Sequence, residues 1–230
     1  MISVLKAELI RYKLINYRNW RELVKTIFLN LTIMILIYLM FSKELSGEYI
    51  AIYSMVWFIL SLQLNVTKEL SEDFKNKTIK YYKKKFIYVF FIRYIFHLIK
   101  SILVIYLILN FMWVIDIIVY KFNFIDCFIL FIGGVSLYWI NYIIALSSIL
   151  LKKHQTIINL LRVMILYFLV SMNSIFLPFS VSSNVLASKL LDIQISVNIY
   201  FLIINSVIYL TLGLIVIKFI NSKLINKILI

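Results

Sequence analysis

Apolar runs long enough to cross a lipid bilayer recur six times along the 230-residue chain. A membrane-spanning helix needs about 20 predominantly apolar residues, and tilt or long basic side chains at its ends let a shorter run qualify. The runs show no alternation of period two, so they predict helices and not barrel strands. The predicted spans cover residues 26–42, 49–67, 86–115, 127–151, 155–178 and 199–217. The sequence therefore predicts an all-α integral membrane protein with six transmembrane helices in a domain over residues 26–230.

Composition supports this class of protein. Hydrophobic residues make up 63% of the chain and charged residues only 15%, whereas soluble domains have about 45–50% and about 25%. Four Gly and one Pro leave little material for breaks, so long, unbroken helices are expected. A single Cys excludes an intrachain disulfide. The chain contains 44 Ile and 4 Ala, a bias that is typical of A/T-rich genomes. This bias favours a low-GC bacterium as the source, and the cell membrane of that bacterium as the location of the protein.

Basic residues predict the orientation, because Lys and Arg are retained on the cytoplasmic side. Eighteen of the 24 Lys and Arg fall in the N-terminal segment, the connections 68–85 and 152–153, and the C-terminal tail. Only Lys43, Lys121 and Lys189 fall in the opposite loops. Both termini are therefore predicted to be cytoplasmic. Because the membrane accounts for the net charge of +14, nucleic acid is not needed as a partner.

Two segments outside the spans have amphipathic character. Residues 1–25 mix apolar positions with six basic ones, which predicts a helix lying in the inner membrane interface. No small-x-small cleavage pattern follows the first span, so we expect this span to be kept as an anchor and not removed as a signal peptide. On the opposite side, residues 179–198 are predicted to fold back along the outer surface as an amphipathic segment.

The cytoplasmic connection 68–85 opens with acidic residues and closes with lysines, an order that suits a helix macrodipole. Leu70, Phe74 and Tyr81 recur at near-helical spacing and would present an apolar ridge to a cytoplasmic partner. The alternative is a solvated, positively charged loop. That alternative explains the lysines but leaves Phe74 exposed between charges. We therefore favour docking of this segment on a cytoplasmic partner.

Charged and polar residues inside the spans are candidates for a substrate path. Arg93, His97 and Lys100 share one face of the third span, and Asn159, Arg162 and Asn173 lie near one face of the fifth. Each set has two interpretations. Long basic side chains can extend to the inner headgroups, or the set can line a cavity for an anionic or amphipathic substrate.

Enzymatic chemistry has little support in the sequence. The two histidines lie toward the predicted cytoplasmic side, whereas Cys127 lies at the outer end of its span, so no Cys/His pair can form. Phosphate-loop, zinc-hydrolase and serine-hydrolase motifs are absent from the sequence. No catalytic residue, metal ligand or cofactor is therefore predicted in this chain.

The order of these elements resembles the ABC-2 type permease family over the whole chain. In that family the segment between spans two and three is a coupling helix, often with a Glu-x-x-x-Gly-Thr pattern, and Glu72 to Thr78 follows it with Asn76-Lys77 where Gly is expected. The resemblance implies that the segment docks on a separate cytoplasmic ATPase, which binds ATP and Mg. The implied coupling residues are Glu69, Leu70, Glu72, Asp73, Phe74, Thr78 and Tyr81.

The function implied by the resemblance is that of a permease subunit in an ATP-binding-cassette exporter. Two permease copies, identical or paralogous, would enclose a path for an amphipathic or hydrophobic substrate such as a peptide. The alternatives are a substrate-binding membrane subunit of an importer and, with less support, an intramembrane enzyme. Direct binding of an ATPase distinguishes the exporter from the importer subunit, which would reach its ATPase through a second membrane protein.

Overall fold

The computed structural model describes residues 86–150 and 199–228 continuously, together with residues 6–11 and scattered positions elsewhere. The scattered positions are 21, 24, 25, 28, 29, 31, 32, 35, 36, 39, 69, 72, 182, 185 and 189. All of them are helical, and the described part of the chain contains no strand. The predicted all-α class is confirmed for these residues. The predicted spans 49–67 and 155–178, and most of 26–42, lie outside them.

Four helices form the continuous part of the structure. They are α1 (Phe86–Val114), α2 (Phe124–Ser136), α3 (Tyr138–Leu150) and α4 (Ile199–Ile228). Helix α1 covers nearly the same residues as the predicted third span, and α4 begins where the sixth was predicted but continues beyond residue 217. Among the described residues, α1 and α4 are long and apolar enough to cross a membrane, and α2 with α3 could form a third span.

Helix α1 is largely apolar on two opposite faces, although Arg93 and His97 are buried in its first half. One face is buried against the rest of the protein at Phe90, Tyr94, Leu98, Ile105, Leu109 and Met112. The opposite face is exposed at Ile99, Leu103, Leu107, Phe111 and Val114. An exposed apolar face of this length suits contact with lipid chains, which are as apolar as the side chains themselves. The described structure is therefore consistent with a membrane protein.

The region of the predicted fourth span differs from the unbroken helix expected over 127–151. Helices α2 and α3 meet at Leu137 and are bent by 46° relative to each other. Helical Gly residues are unfavourable by about 1 kcal/mol relative to Ala, and Gly133 and Gly134 immediately precede the break. The pair of glycines weakens the helix locally, but contacts from α1 decide where it bends.

Side chains satisfy the backbone groups that the bend releases. The hydroxyl of Tyr94 on α1 donates to the Gly134 carbonyl at 2.5 Å, and the Leu137 backbone N–H donates to the same oxygen at 3.1 Å. Ser136 Oγ donates to the Gly133 carbonyl at 2.6 Å. Without water in a bilayer core, a broken helix persists only where protein groups supply such partners. These side-chain donors therefore stabilise the bend.

The bent pair lies between the two long helices. Helix α2 packs against both α1 and α4, whereas α3 packs mainly against α4, and α1 does not contact α4. Gly213 of α4 lies so close to Trp139 of α3 that an added Cβ would be 2.5 Å from the ring atoms Cγ and Cδ1. Close backbone approach through glycine is the usual means by which membrane helices gain packing energy.

The chain turns sharply between α1 and α2. Backbone N–H groups of Asp116 and Ile117 donate to the Trp113 and Met112 carbonyls at 3.1 and 2.9 Å, which is a Schellman motif. Asp116 occupies the left-handed position of this motif, with φ of 57°, where glycine is the commonest residue. The turn ends with the burial of Phe122 against the core. These contacts fix the direction in which α2 leaves α1.

We predict that Gly213→Ala destabilises the protein by about 1–3 kcal/mol, because the new methyl group would overlap the base of the Trp139 side chain, which cannot move away without shifting α3. Thermal unfolding of the purified protein in detergent measures the effect. Leu214→Ala is the matched control, since Leu214 is exposed on the same helix. Equal unfolding temperatures for Gly213→Ala and the wild type would contradict the close contact.

Candidate functional site

Arg93, in the first half of α1, is paired with a carboxylate from the N-terminal segment. Its Nε atom donates to Glu8 Oε2 at 3.0 Å, and Nη2 donates to Glu8 Oε1 at 3.2 Å. Arg93 is 3% exposed and Glu8 is 7% exposed. A guanidinium that meets both carboxylate oxygens in this way makes one of the strongest ion pairs available to a protein. The pair connects residues 6–11 firmly to α1.

Glu69, near the start of the predicted coupling segment, reaches the same place. His97 Nε2 on α1 lies 3.1 Å from Glu69 Oε1, and Arg11 Nη1 lies 3.7 Å from Glu69 Oε2. Arg11 also contacts Glu8 at 3.2 Å. We call these five residues, Glu8, Arg11, Glu69, Arg93 and His97, the Arg93 cluster. The cluster joins three parts of the chain that are far apart in sequence.

The Arg93 cluster places two guanidinium groups and an imidazole beside two carboxylates. Burial raises the pKa of the Glu69 carboxyl. The hydrogen bond and charge of His97, with the charges of Arg11 and Arg93, lower it by more, so this pKa lies below its ordinary value. Glu69 is thus held in its ionised form. Lys100, half-buried and one turn beyond His97, also experiences the negative charge of Glu69.

The structure gives two of the predicted substrate-path residues partners that sequence reasoning did not identify. Arg93 and His97 do share one face of α1, but Glu8 and Glu69 lie against them. The sequence did contain one indication of an ion pair in the N-terminal segment, because Glu8 and Arg11 are three residues apart, as an i,i+3 contact on a helix requires. Asn159, Arg162 and Asn173 lie outside the described residues.

Among the predicted coupling residues, Glu69 and Glu72 are described. Glu69 belongs to the Arg93 cluster, whereas Glu72 is helical and exposed. The remaining predicted coupling residues, Leu70, Asp73, Phe74, Thr78 and Tyr81, lie outside the described part of the chain. Within the described residues, this segment contacts α1 through the Glu69 carboxylate.

A second group of paired polar residues lies at the turn between α1 and α2. Asp126 is fully buried there, at 0% exposure. Its Oδ2 atom accepts from the Tyr120 hydroxyl and from the Asn123 backbone N–H, both at 2.8 Å. Its Oδ1 atom lies 2.6 Å from Lys189 Nζ. We call Tyr120, Asn123, Asp126 and Lys189 the Asp126 cluster.

The Asp126 cluster lies alongside the second half of α1, where Asn110 Nδ2 donates to the Phe122 carbonyl at 3.2 Å. Near the Asp126 cluster, Lys121 Nζ lies 4.9 Å from the centre of the Trp113 ring, an arrangement suited to a membrane interface. Burial, the hydrogen bond to Asp126 and the negative charge of Asp126 all raise the pKa of Tyr120. The Tyr120 hydroxyl therefore remains a donor throughout the physiological pH range.

Comparison of the chain with protein-family models, with curated proteins and with solved structures finds no match. Within the described residues, no group of three or more His, Cys, Asp or Glu side chains could hold a metal ion. The two clusters are the sites where the described residues concentrate buried charge.

We predict that Glu8→Gln destabilises the protein by about 3–5 kcal/mol, because it removes the carboxylate charge that pairs with Nε and Nη2 of the buried Arg93 guanidinium. The double variant Glu8→Gln/Arg93→Met should recover most of this loss, since it removes both charges and keeps an apolar side chain in place. Unfolding in detergent measures both effects. Glu72→Gln, the same change at an exposed position, should have almost no effect, and an equally small effect of Glu8→Gln would contradict the pairing.

The lowered pKa of Glu69 predicts how stability depends on pH. Ionised Glu69 stabilises the fold, so its contribution is fully present above the ordinary value of 4.5 and is lost as the pH falls through the lower folded value. Glu69→Gln should therefore remove part of the acid destabilisation below pH 4.5. Melting temperatures between about pH 3 and about pH 7, an interval that brackets the ordinary carboxyl pKa of about 4.3, measure this. Glu72→Gln should keep the wild-type profile, and identical profiles for both variants would contradict the assignment.

Proposed function

We propose that the protein is the membrane-spanning permease subunit of an ATP-binding-cassette exporter in a bacterial cell membrane. In this proposal it has six spans and cytoplasmic termini, and it works with a second permease copy and a separate cytoplasmic ATPase that binds ATP and Mg. The substrate is an amphipathic or hydrophobic molecule, such as a peptide, that moves outward. Export proceeds by alternating access, in which the transport path opens to one side of the membrane at a time.

One observation carries the proposal, namely the contact of Glu69 with both His97 and Arg11. Glu69 belongs to the segment that would dock on the ATPase, His97 belongs to a candidate membrane-spanning helix, and Arg11 belongs to the N-terminal helix. A displacement of Glu69 would change its contacts with His97 and with Arg11. A permease powered from outside its own chain needs a connection of this kind between its cytoplasmic segment and its spans.

The contact between Glu8 and Arg93 makes part of this connection stiff, because both side chains are buried. Charged groups held away from water interact more strongly than exposed ones, and separating them exposes an uncompensated charge. The N-terminal helix and α1 would therefore move together through Glu8 and Arg93, while Glu69 transmits the motion of its own segment to both. In this proposal the three elements respond to the ATPase as one unit.

This proposal gives two residues of the predicted substrate path another role. Arg93 and His97 contact carboxylates and form part of the connection between the cytoplasmic segment and the spans. Lys100 remains the described candidate for contact with an anionic or amphipathic substrate, because it is half-buried beside the Arg93 cluster. Asn159, Arg162 and Asn173 of the predicted fifth span would complete the path.

We predict that Phe74→Asp abolishes binding of the ATPase, because it places a charge in the apolar ridge that would dock. The measurement is purification of the tagged protein from its native host in mild detergent, with mass spectrometry of the proteins retained in stoichiometric amount. Tyr82→Asp is the matched control. In a helix it lies about 100° away from the ridge of Leu70, Phe74 and Tyr81, so the ATPase should remain bound.

Three results would count against the exporter. These are an equal loss of the ATPase in both variants, recovery of no ATPase with the wild type, and recovery of an ATPase only together with another membrane protein. The last result would favour the substrate-binding subunit of an importer, in which the ATPase is reached through a membrane scaffold.

A further inference from the structure

The segment between α1 and α2 runs back along α1 before α2 begins. The Phe122 carbonyl accepts from Asn110 Nδ2 at 3.2 Å. Two residues later, the ring of Phe124 stacks on that of Tyr106, with centroids 5.5 Å apart. Helix α2 therefore begins beside Tyr106, which precedes the end of α1 at Val114 by about 12 Å at 1.5 Å per residue.

Three large apolar side chains are exposed where α2 begins. Phe124 is 80% exposed, Ile125 62% and Phe128 54%, and their spacing places them on one side of the helix. We call these three residues the corner patch. Phe124 packs on Tyr106, which neighbours the exposed Leu103 one turn earlier in α1. The corner patch therefore continues the exposed apolar face of α1 across to α2.

Polar residues come directly before the corner patch. Lys121 and Asn123 are both exposed, and the Lys121 ammonium group lies 4.9 Å from the centre of the Trp113 ring. Tryptophan and lysine side chains are typical of the headgroup level of a membrane, and a lysine there is attracted to anionic lipids. Along the direction in which the chain runs back beside α1, a headgroup-like pair is thus followed by apolar side chains.

The buried charge next to the corner patch agrees with an apolar surrounding. Asp126 lies between Ile125 and Phe128 in the sequence, yet its carboxylate is fully buried and has three donors from the protein. A carboxylate at the depth of acyl chains is costly unless protein groups meet it in this way. The charged member of this turn thus faces inward, and the apolar members face outward.

The size of the corner patch favours lipid over a protein partner. Even if fully exposed, side chains of about 150–250 Å² each give three residues less than the about 800 Å² per partner of a standard protein interface. Lipid sets no such minimum, because acyl chains pack individually against apolar side chains.

We propose that the corner between α1 and α2 is a lipid-binding surface, in which the corner patch lies among acyl chains and Lys121 contacts the phosphate of an anionic phospholipid headgroup. Helix α2 would then begin inside the bilayer, just below the headgroups. The inference rests on a membrane location and does not depend on the proposed exporter function.

The accessibility of nitroxide labels in lipid vesicles tests this placement. Oxygen collides with a nitroxide among acyl chains, whereas a water-soluble nickel chelate reaches only a nitroxide in water. Because Cys127 is the only cysteine in the chain, Cys127→Ala gives a background in which Phe124→Cys or Phe128→Cys carries the label. The full-length protein is reconstituted in vesicles of phosphatidylcholine and phosphatidylglycerol, and its melting temperature verifies that each variant is folded.

We predict that labels at Phe124 and Phe128 collide with oxygen and lose collisions with the nickel chelate. Leu103→Cys is the matched lipid-facing control, since Leu103 is exposed on α1, and it should behave in the same way. Glu72→Cys, exposed in the segment predicted to be cytoplasmic, should collide with the chelate. If Phe124→Cys does not fold, Ile125→Cys places a label in the same patch and keeps the stacking on Tyr106.

Two results would overturn the lipid-binding surface. Nickel collisions at the corner patch but not at Leu103 would place the patch in water. Exclusion of both reagents from the patch would show that a second copy or another protein covers it. Nickel collisions at Leu103 as well would contradict the membrane location on which the inference rests.

Lys121→Glu tests the headgroup contact. In vesicles with phosphatidylglycerol it should raise nickel collisions of the Phe124 label about fivefold, the factor that one basic residue contributes to binding an anionic surface. The increase should be smaller in phosphatidylcholine alone, and Lys121→Arg should leave the collisions unchanged. An equal increase in both lipids, or no increase in either, would overturn the contact between Lys121 and the headgroup.

Discussion

Burial of the Arg93 charge is the constraint on which the rest of the described structure depends. A guanidinium within an apolar helix is costly unless a countercharge meets it, and here Glu8 supplies both carboxylate oxygens. That requirement brings the N-terminal segment against α1. Arg11 lies about one helical turn beyond Glu8 and contacts it. Glu69 completes the cluster through its contacts with Arg11 and His97. One buried charge thus organises three separate stretches of chain.

At the bend at Leu137, backbone groups lose their helical hydrogen bonds. In an apolar environment such groups must find other partners within the protein. Tyr94 and Ser136 provide the donors, and Asn141 Nδ2 adds a further hydrogen bond to the Leu137 carbonyl at 3.1 Å. Tyr94 also packs edge-on against Tyr138, with ring centroids 5.5 Å apart. The contact between α1 and the bent pair is therefore both polar and aromatic, which makes its geometry specific where apolar packing alone would not.

The two clusters differ in which of their charged groups are exposed. At the Arg93 cluster Glu8 and Arg93 are buried, whereas Glu69 and Arg11 are partly exposed. At the Asp126 cluster the carboxylate is fully buried and its cation, Lys189, is 35% exposed. The contacts that join Glu8 and Glu69 to α1 are the physical basis of the proposed exporter.

The sequence by itself determined the all-α class, the approximate extent of α1 and the start of α4, because the length of an apolar run decides whether a helix can cross a bilayer. It also placed Arg93 and His97 on one face. Only the tertiary structure decided which face of α1 is buried, since Leu98 and Leu103 are equally apolar and lipid accepts either. It likewise decided that Glu8 pairs with Arg93 and that Tyr94 supports a bend at Leu137. Contacts between residues 85 and 40 positions apart leave no periodic signal in a single sequence, because a pattern reports neighbours along one helix and not the partner across the protein.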